Sequence, residues 1–193
     1  GARFDTHTLG SGQGIAHGYG RWDKTTKQVE RIADSVLFTV EEVDHLAAHD
    51  DGVWRSCVPA HLTASALVMS ARREEVLLVL HTKAGLWLQP GGHCEPEDPT
   101  LVAAALREAT EETGIEGLVL SAAPVRLDRH AAPCRPGVVD HHLDVQYLAI
   151  APSRAIPRSS AEALDVAWFR CDDLPEPADV EALVVAALSG ASG

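Results

Sequence analysis

The chain has 193 residues, 46% of them hydrophobic, enough for one globular domain with a real core. Its 16 Lys and Arg face 28 Asp and Glu, a formal charge of −12, which argues against a general binder of nucleic acid or anionic membrane, since such surfaces recruit cations against phosphates. A small anionic substrate stays possible if a cation mediates the contact.

Residues 1–30 are rich in Gly, Thr and His without helical or strand period and are expected to form an irregular extension before a domain over 31–193. Thr39 and Glu42 have capping-box spacing, and Val40, Val43 and Leu46 then recur on one face, which predicts a short amphipathic helix ending at Asp50-Asp51-Gly52. HLTASALVMS from His61 and VLLVLHT from Val76 read as strands around the polar turn Arg72-Arg73-Glu74-Glu75, hence a hairpin. LWLQP then leads into Gly91-Gly92 and a helix, followed by the strand-like runs LVLSAAPVRL, HLDVQYLAIA and DVAWFRCDDL. ADVEALVVAALSG closes the chain as a helix stopped by Gly190. This order predicts an α/β fold, a mixed β-sheet with helices packed on its faces.

The helix LVAAALREATEET carries the chemistry. Between residues 91 and 117 seven acids (Glu95, Glu97, Asp98, Glu108, Glu111, Glu112, Glu116) face one base, Arg107, so this stretch holds half of the net charge. Val102, Ala105, Leu106 and Ala109 would form the buried stripe, with Glu108, Glu111 and Glu112 on an arc beside it. Like charges at i,i+3 and i,i+4 cost about 0.2–0.5 kcal/mol per pair, and Gly114 as the helix stop leaves Glu111 and Glu112 at the negative end of the dipole. A solvated acidic face would simply bear these costs; a divalent cation would remove them, and clustered carboxylates suit Mg²⁺, Mn²⁺ or Ca²⁺ over zinc or copper. Gly91-Gly92, lacking Cβ atoms, lets backbone approach a ligand or offer a carbonyl to the same metal.

Together these residues resemble the Nudix box, G-x5-E-x7-R-E-U-x-E-E-x-G-U with U a bulky aliphatic residue, here spanning 92–115. Arg107-Glu108-Ala109-Thr110-Glu111-Glu112-Thr113-Gly114-Ile115 supplies its second half, with Ala109 small where U is expected. In the first half Asp98 replaces Glu, and eight residues instead of seven separate it from Arg107. The resemblance implies a Nudix-type (MutT-like) α/β/α sandwich and a Mg²⁺- or Mn²⁺-dependent pyrophosphohydrolase that cleaves a phosphoanhydride in a nucleoside-diphosphate-linked substrate. It further implies that Glu111 and Glu112 bind metal, that Glu108 binds metal or serves as base, that the Gly92 carbonyl completes the coordination, and that Arg107 pairs with Asp98. In some relatives the base is a later loop carboxylate, for which Glu162 is the candidate by chain order. The alternative within the same fold is a nucleotide-binding sensor without turnover.

Outside the helix the signals are weaker. Cys57, Cys94, Cys134 and Cys171 are scattered with no C-x-x-C pair, which points to reduced thiols and away from a zinc ribbon. On a strand His142, Asp144 and Gln146 alternate with Leu143, Val145 and Tyr147, so half-burial accounts for them and no second metal is expected. Cys94 reads as an inert buried thiol, and Trp87 and Trp168 as core or pocket-wall aromatics. No run approaches the ~18 apolar residues of a membrane span and no signal-peptide pattern is present, so a cytoplasmic location is expected. The expected partner is a small phosphorylated substrate, a nucleotide derivative, with room for a homodimer and none for nucleic acid or membrane.

Overall fold

The computed structural model describes residues 5–9, 13–17, 22–23, 28–29, 40–135, 138–160 and 163–189. Within the N-terminal stretch, β1 (Asp5–Leu9) pairs with β2 (Gln13–His17) and β3 (Trp22–Asp23) with β4 (Gln28–Val29), two local hairpins where the composition shows no strand period. Helix α1 (Val40–Ala48) follows; Thr39, its expected cap, lies outside the described residues.

One eight-stranded mixed sheet organises the rest. Its strands are β5 (Ala60–Met69), β6 (Glu75–His81), β7 (Trp87–Leu88), β8 (Gly91–His93), β9 (Val119–Leu120), β10 (Arg126–Arg135), β11 (Val138–Ile150) and β12 (Ala163–Arg170). The main path runs β10-β11-β5-β6-β12, with β7 on β6, β8 on β5 and β9 on β11. All pairs are antiparallel except β11 with β5, which run parallel from His141↔Ala60 to Ile150↔Met69. The β5–β6 hairpin holds at only two register pairs, Val68↔Leu77 and Met69↔Val76. Earlier along β5 the partner becomes β8, at Thr63↔His93, Ala64↔Gly92 and Ser65↔Gly91. This change of partner brings the double glycine into the sheet.

Helix α2 (Leu101–Thr113) packs Leu101, Ala104 and Ala105 on Leu62, Ala64, Leu143, Val145 and Tyr147. On the opposite face α3 (Glu181–Ser189) packs Leu183, Val184 and Ala187 against Leu67, Met69, Val76 and Leu78. The result is the α/β/α sandwich. Side chains alternate across a strand, so β5 sends Leu62, Ala64, Ala66 and Val68 to α2, and His61, Thr63, Ser65, Leu67 and Met69 the other way. α3 covers only the apolar end of that second face; its other half is polar.

Two expectations are corrected. Besides Thr113, the buried residues of α2 are the apolar Leu101, Ala104, Ala105 and Ala109, whereas Leu106 is 37% exposed, so the apolar stripe is rotated by roughly 80° from the one expected at 100° per residue. And LVLSAAPVRL is not one strand: only Val119–Leu120 pairs there, and the long β10 follows through RLDRHAAPCR. That sequence is polar and contains Pro133, which a strand tolerates at a sheet edge, the place β10 occupies.

Ala104, Ala105 and Ala109 have no exposed surface, so their small size fixes how close α2 lies to the sheet. Ala105→Leu is expected to destabilise the protein by about 1–3 kcal/mol through overpacking, measured by urea denaturation. Activity should fall more than this loss of folded protein explains, because the helix that is pushed outward carries the carboxylates.

Candidate functional site

The ends of α2 are well defined. Thr100 Oγ1 accepts from the Ala103 amide at 3.1 Å, and Gly114, at φ +65°, takes the left-handed stop and donates its N–H to the Thr110 carbonyl at 2.8 Å. Between these ends Arg107 ties the helix to the loop before it. Its Nε and Nη2 donate to the two Asp98 carboxylate oxygens at 3.0 and 2.9 Å, and Nη2 also donates to the His93 carbonyl at 2.9 Å. Nη1 reaches Glu108 Oε1 at 3.0 Å and Glu111 Oε2 at 3.1 Å. Asp98 is 4% exposed and also accepts from the Glu95 amide at 2.8 Å. The two-toothed bond to Asp98, with Glu108 beside it, holds Arg107 firmly protonated. The extra residue before the helix is therefore accommodated while Asp98 reaches Arg107.

The three glutamates are not equivalent. On the helical wheel Glu108 and Glu112 fall inside the arc of about 140° that Leu101, Ala104, Ala105 and Ala109 bury, while Glu111 falls outside it. The side chain of Glu108 is 16% exposed and that of Glu111 59%. Two carboxylates can occupy an inner face only where the facing strand leaves space, and β8 supplies that with glycine. A Cβ on Gly92 would stand 2.7–2.8 Å from the Glu108 carboxylate atoms, and the Gly91 amide donates to Glu112 Oε2 at 3.1 Å. Burial raises the pKa of Glu108, against the lowering pull of Arg107. A cluster of hard oxygen donors, partly buried and beneath a backbone that lacks side chains, fits a divalent Mg²⁺-type cation.

Of the other expected residues, Glu162 lies outside the described residues. Cys94 is buried beside the loop, and desolvation raises its pKa so far that it stays a thiol. Trp87 packs edge-on against Phe169 in the α3 core. Asp144 is 3% exposed and accepts from Thr63 Oγ1 at 2.9 Å, Ser65 Oγ at 2.7 Å and Gln146 Nε2 at 3.0 Å; in turn Gln146 Oε1 accepts from Arg126 at 3.0 Å.

His142 is more than a half-buried strand residue. It meets His61 and His93 in a triangle of rings whose centroids are 5.0–5.1 Å apart, with Cys134 beside all three. Burial, with like-charge repulsion from the neighbouring histidines, pushes His142 down to about 3 and His93 down to about 4, so both rings are neutral at ordinary pH. Nothing local in the sequence announces this group. The single hint is that His61 and His142 both begin polar alternations on strands that prove to be neighbours.

An acid-rich helix clamped by arginine under a double glycine therefore sits on an α/β/α sandwich. The family model described as NUDIX domain matches residues 59–187. Among solved structures, a MutT NUDIX hydrolase from Burkholderia pseudomallei is 26% identical, with 66% of this chain and 96% of that one covered and a TM-score of 0.50. The NUDIX domain of Shewanella oneidensis NrtR, complexed with ADP ribose, is 22% identical over 78% of this chain and 99% of its own, TM-score 0.55. A NUDIX-family hydrolase from Clostridium perfringens is 24% identical over 67% and 95%, TM-score 0.52. The chain belongs to the NUDIX domain family and is a hydrolase acting on phosphoanhydride bonds.

Two consequences can be measured without substrate. Asp98→Ala removes the buried partner of Arg107 and is expected to cost about 3 kcal/mol, the low end for a broken buried pair because Glu108 and Glu111 still face the guanidinium. Equal denaturation midpoints for variant and parent would exclude this clamp as a stabilising contact. For Glu108 the folded pKa lies above the unfolded one, so between the two values the folded chain keeps a proton the unfolded chain has lost, and stability falls as pH rises through that window. With chelator present, Glu108→Gln should therefore have a higher urea midpoint than the parent at neutral pH. The gap should close as pH drops below the ordinary glutamate range.

Proposed function

We propose that the protein is a Mg²⁺- or Mn²⁺-dependent pyrophosphohydrolase of a nucleoside-diphosphate-linked substrate, with Glu108, Glu111, Glu112 and the Gly92 carbonyl as metal ligands. The observation that carries this reading is the pair Glu108 and Glu112 on the inner face of α2, opposite glycines whose missing Cβ atoms leave room beside the carboxylates. A bound divalent cation would supply charge neutralisation at the phosphates and a lowered pKa for attacking water. The chain's own groups do the rest. Arg107 holds the loop through Asp98 and the His93 carbonyl, which keeps Gly92 over the carboxylates. Glu108, whose pKa burial raises, is suited to accept a proton from water once a cation offsets its desolvation. Glu162, by its place in the chain, is the second candidate for that base. Catalysis of this kind is mostly positioning and charge stabilisation, which is why rigid tethering of the loop matters.

A panel of nucleoside triphosphates, nucleotide sugars, dinucleoside polyphosphates and ADP-ribose, assayed with Mg²⁺ or Mn²⁺, is the test. The last is included because the related NrtR domain is seen with it. The Glu111→Gln, Glu112→Gln double variant is expected to lose at least ~100-fold in kcat, a barrier rise of about 2.7 kcal/mol. Unchanged turnover in the variant would remove the metal assignment. Saturable nucleotide binding with no product across the whole panel would point to a sensor domain instead.

A further inference from the structure

On the polar half of the sheet, away from α2, four side chains from four strands point at one spot: His61 from β5, His93 from β8, Cys134 from β10 and His142 from β11. Their ligand atoms all lie within 4.8 Å of one another. Cys134 Sγ is 3.8 Å from His61 Nε2, 3.6 Å from His93 Nε2 and 3.0 Å from His142 Nε2. We propose that these four side chains bind one Zn²⁺ ion, a site separate from the carboxylates of α2.

The geometry matches a tetrahedral ion. With Zn–S near 2.3 Å and Zn–N near 2.05 Å, sulfur and nitrogen in a tetrahedron stand about 3.6 Å apart. The three separations in the structure bracket that value, and none reaches the ~4.3 Å that a trans pair in a square plane would need with the same bond lengths. The rings agree: His61–His93 and His61–His142 are 5.1 Å apart and His93–His142 is 5.0 Å, a nearly equilateral triangle with the sulfur beside it. A planar set would make one of the three ring separations clearly longer than the other two.

Proton accounting supports the same conclusion. His61 Nδ1 lies 3.2 Å from the Cys57 carbonyl, which can only accept, so Nδ1 carries the proton and the neutral ring presents a bare lone pair at Nε2. This is also the usual outer contact of a ligating histidine, since it sets tautomer and ring angle. That nitrogen lies 3.8 Å from Cys134 Sγ, so a cation placed among the four side chains would meet the His61 lone pair and the sulfur together.

The donors also say which ion. Thiolate is a soft ligand and imidazole a borderline one, a set that suits zinc and disfavours Mg²⁺ or Ca²⁺, and no carboxylate belongs to the group. Four protein ligands leave no open position, as in structural zinc sites. The ion would join the edge strand β10, where the register shifts between Ala132 and Arg135 around Cys134, to β11, β5 and β8. Through His93 it would also brace the box loop, since the carbonyl of that residue accepts from Arg107.

Zinc content by elemental analysis of the purified full chain, together with the absorption spectrum of the Co²⁺-substituted form, tests the site. One zinc per chain is expected, as are the intense visible bands of tetrahedral Co²⁺ and a thiolate-to-cobalt charge-transfer band. Cys134→Ser should lose the charge-transfer band and stoichiometric zinc, and His142→Ala should lose the zinc, each with circular dichroism checked against the parent. The conservative serine on an edge strand keeps the test open should the histidine variant fail to fold. Glu111→Gln, Glu112→Gln should retain the zinc in full, which separates this site from the carboxylate site of the proposed hydrolase. A parent that binds no zinc on addition of the metal, an octahedral Co²⁺ spectrum, or loss of zinc in the glutamine double variant would each overturn the proposal.

Discussion

Everything at the site depends on one guanidinium. Arg107 spends its donors on both oxygens of a buried aspartate, on a strand carbonyl and on two glutamates of its own helix, so loop, strand and helix share one cation. The carboxylates can be crowded because this charge stands among them, and the loop can vary in length because the clamp, not the spacing, sets where Gly92 sits. A lysine could not replace it, having one charged point where a planar fork is used in several directions.

The helix and its acids were legible in the sequence because local rules govern them: Gly114 is the left-handed stop, and the glutamate spacing follows from helical period. The face they occupy was not. Hydrophobic periodicity assigns Leu106 to the core and the glutamates to its edge, but the protein buries alanines instead and lets Glu108 and Glu112 look inward. That is possible only because the opposing strand is glycine, a fact about a neighbour that no helical wheel contains. Strand β10 escaped for a related reason, since an edge strand needs neither a continuous apolar run nor freedom from proline. The histidines and Cys134 escaped because their meeting is tertiary: Cys134 lies 73 residues from His61 and 41 from His93 along the chain.

Two opposite chemistries thus share one sheet. On the α2 side are hard carboxylate oxygens near the Arg107 guanidinium; on the polar half of the other face are imidazole nitrogens and a soft sulfur around His142. Gly92 and His93 are consecutive residues of β8 and, by strand alternation, they look to opposite faces. The three-residue strand therefore acts as the partition between them, with the His93 carbonyl tied to the arginine of the first site while its ring belongs to the second.

The parallel pairing of β5 with β11 bears on how the molecule is made. Partners in that ladder are separated by 81 residues, and the hairpin that could form early holds at only two positions. Closing such a long loop must precede any reward from the contact, a topology that folds slowly. On the ribosome, α2 emerges with its acids before the strand that contributes Leu143, Val145 and Tyr147 to its docking surface has been synthesised. The face that holds Leu67, Met69, Val76 and Leu78 waits longer still, for α3 at the end of the described chain, and through this interval the growing chain exposes unfinished apolar surface that is prone to aggregate.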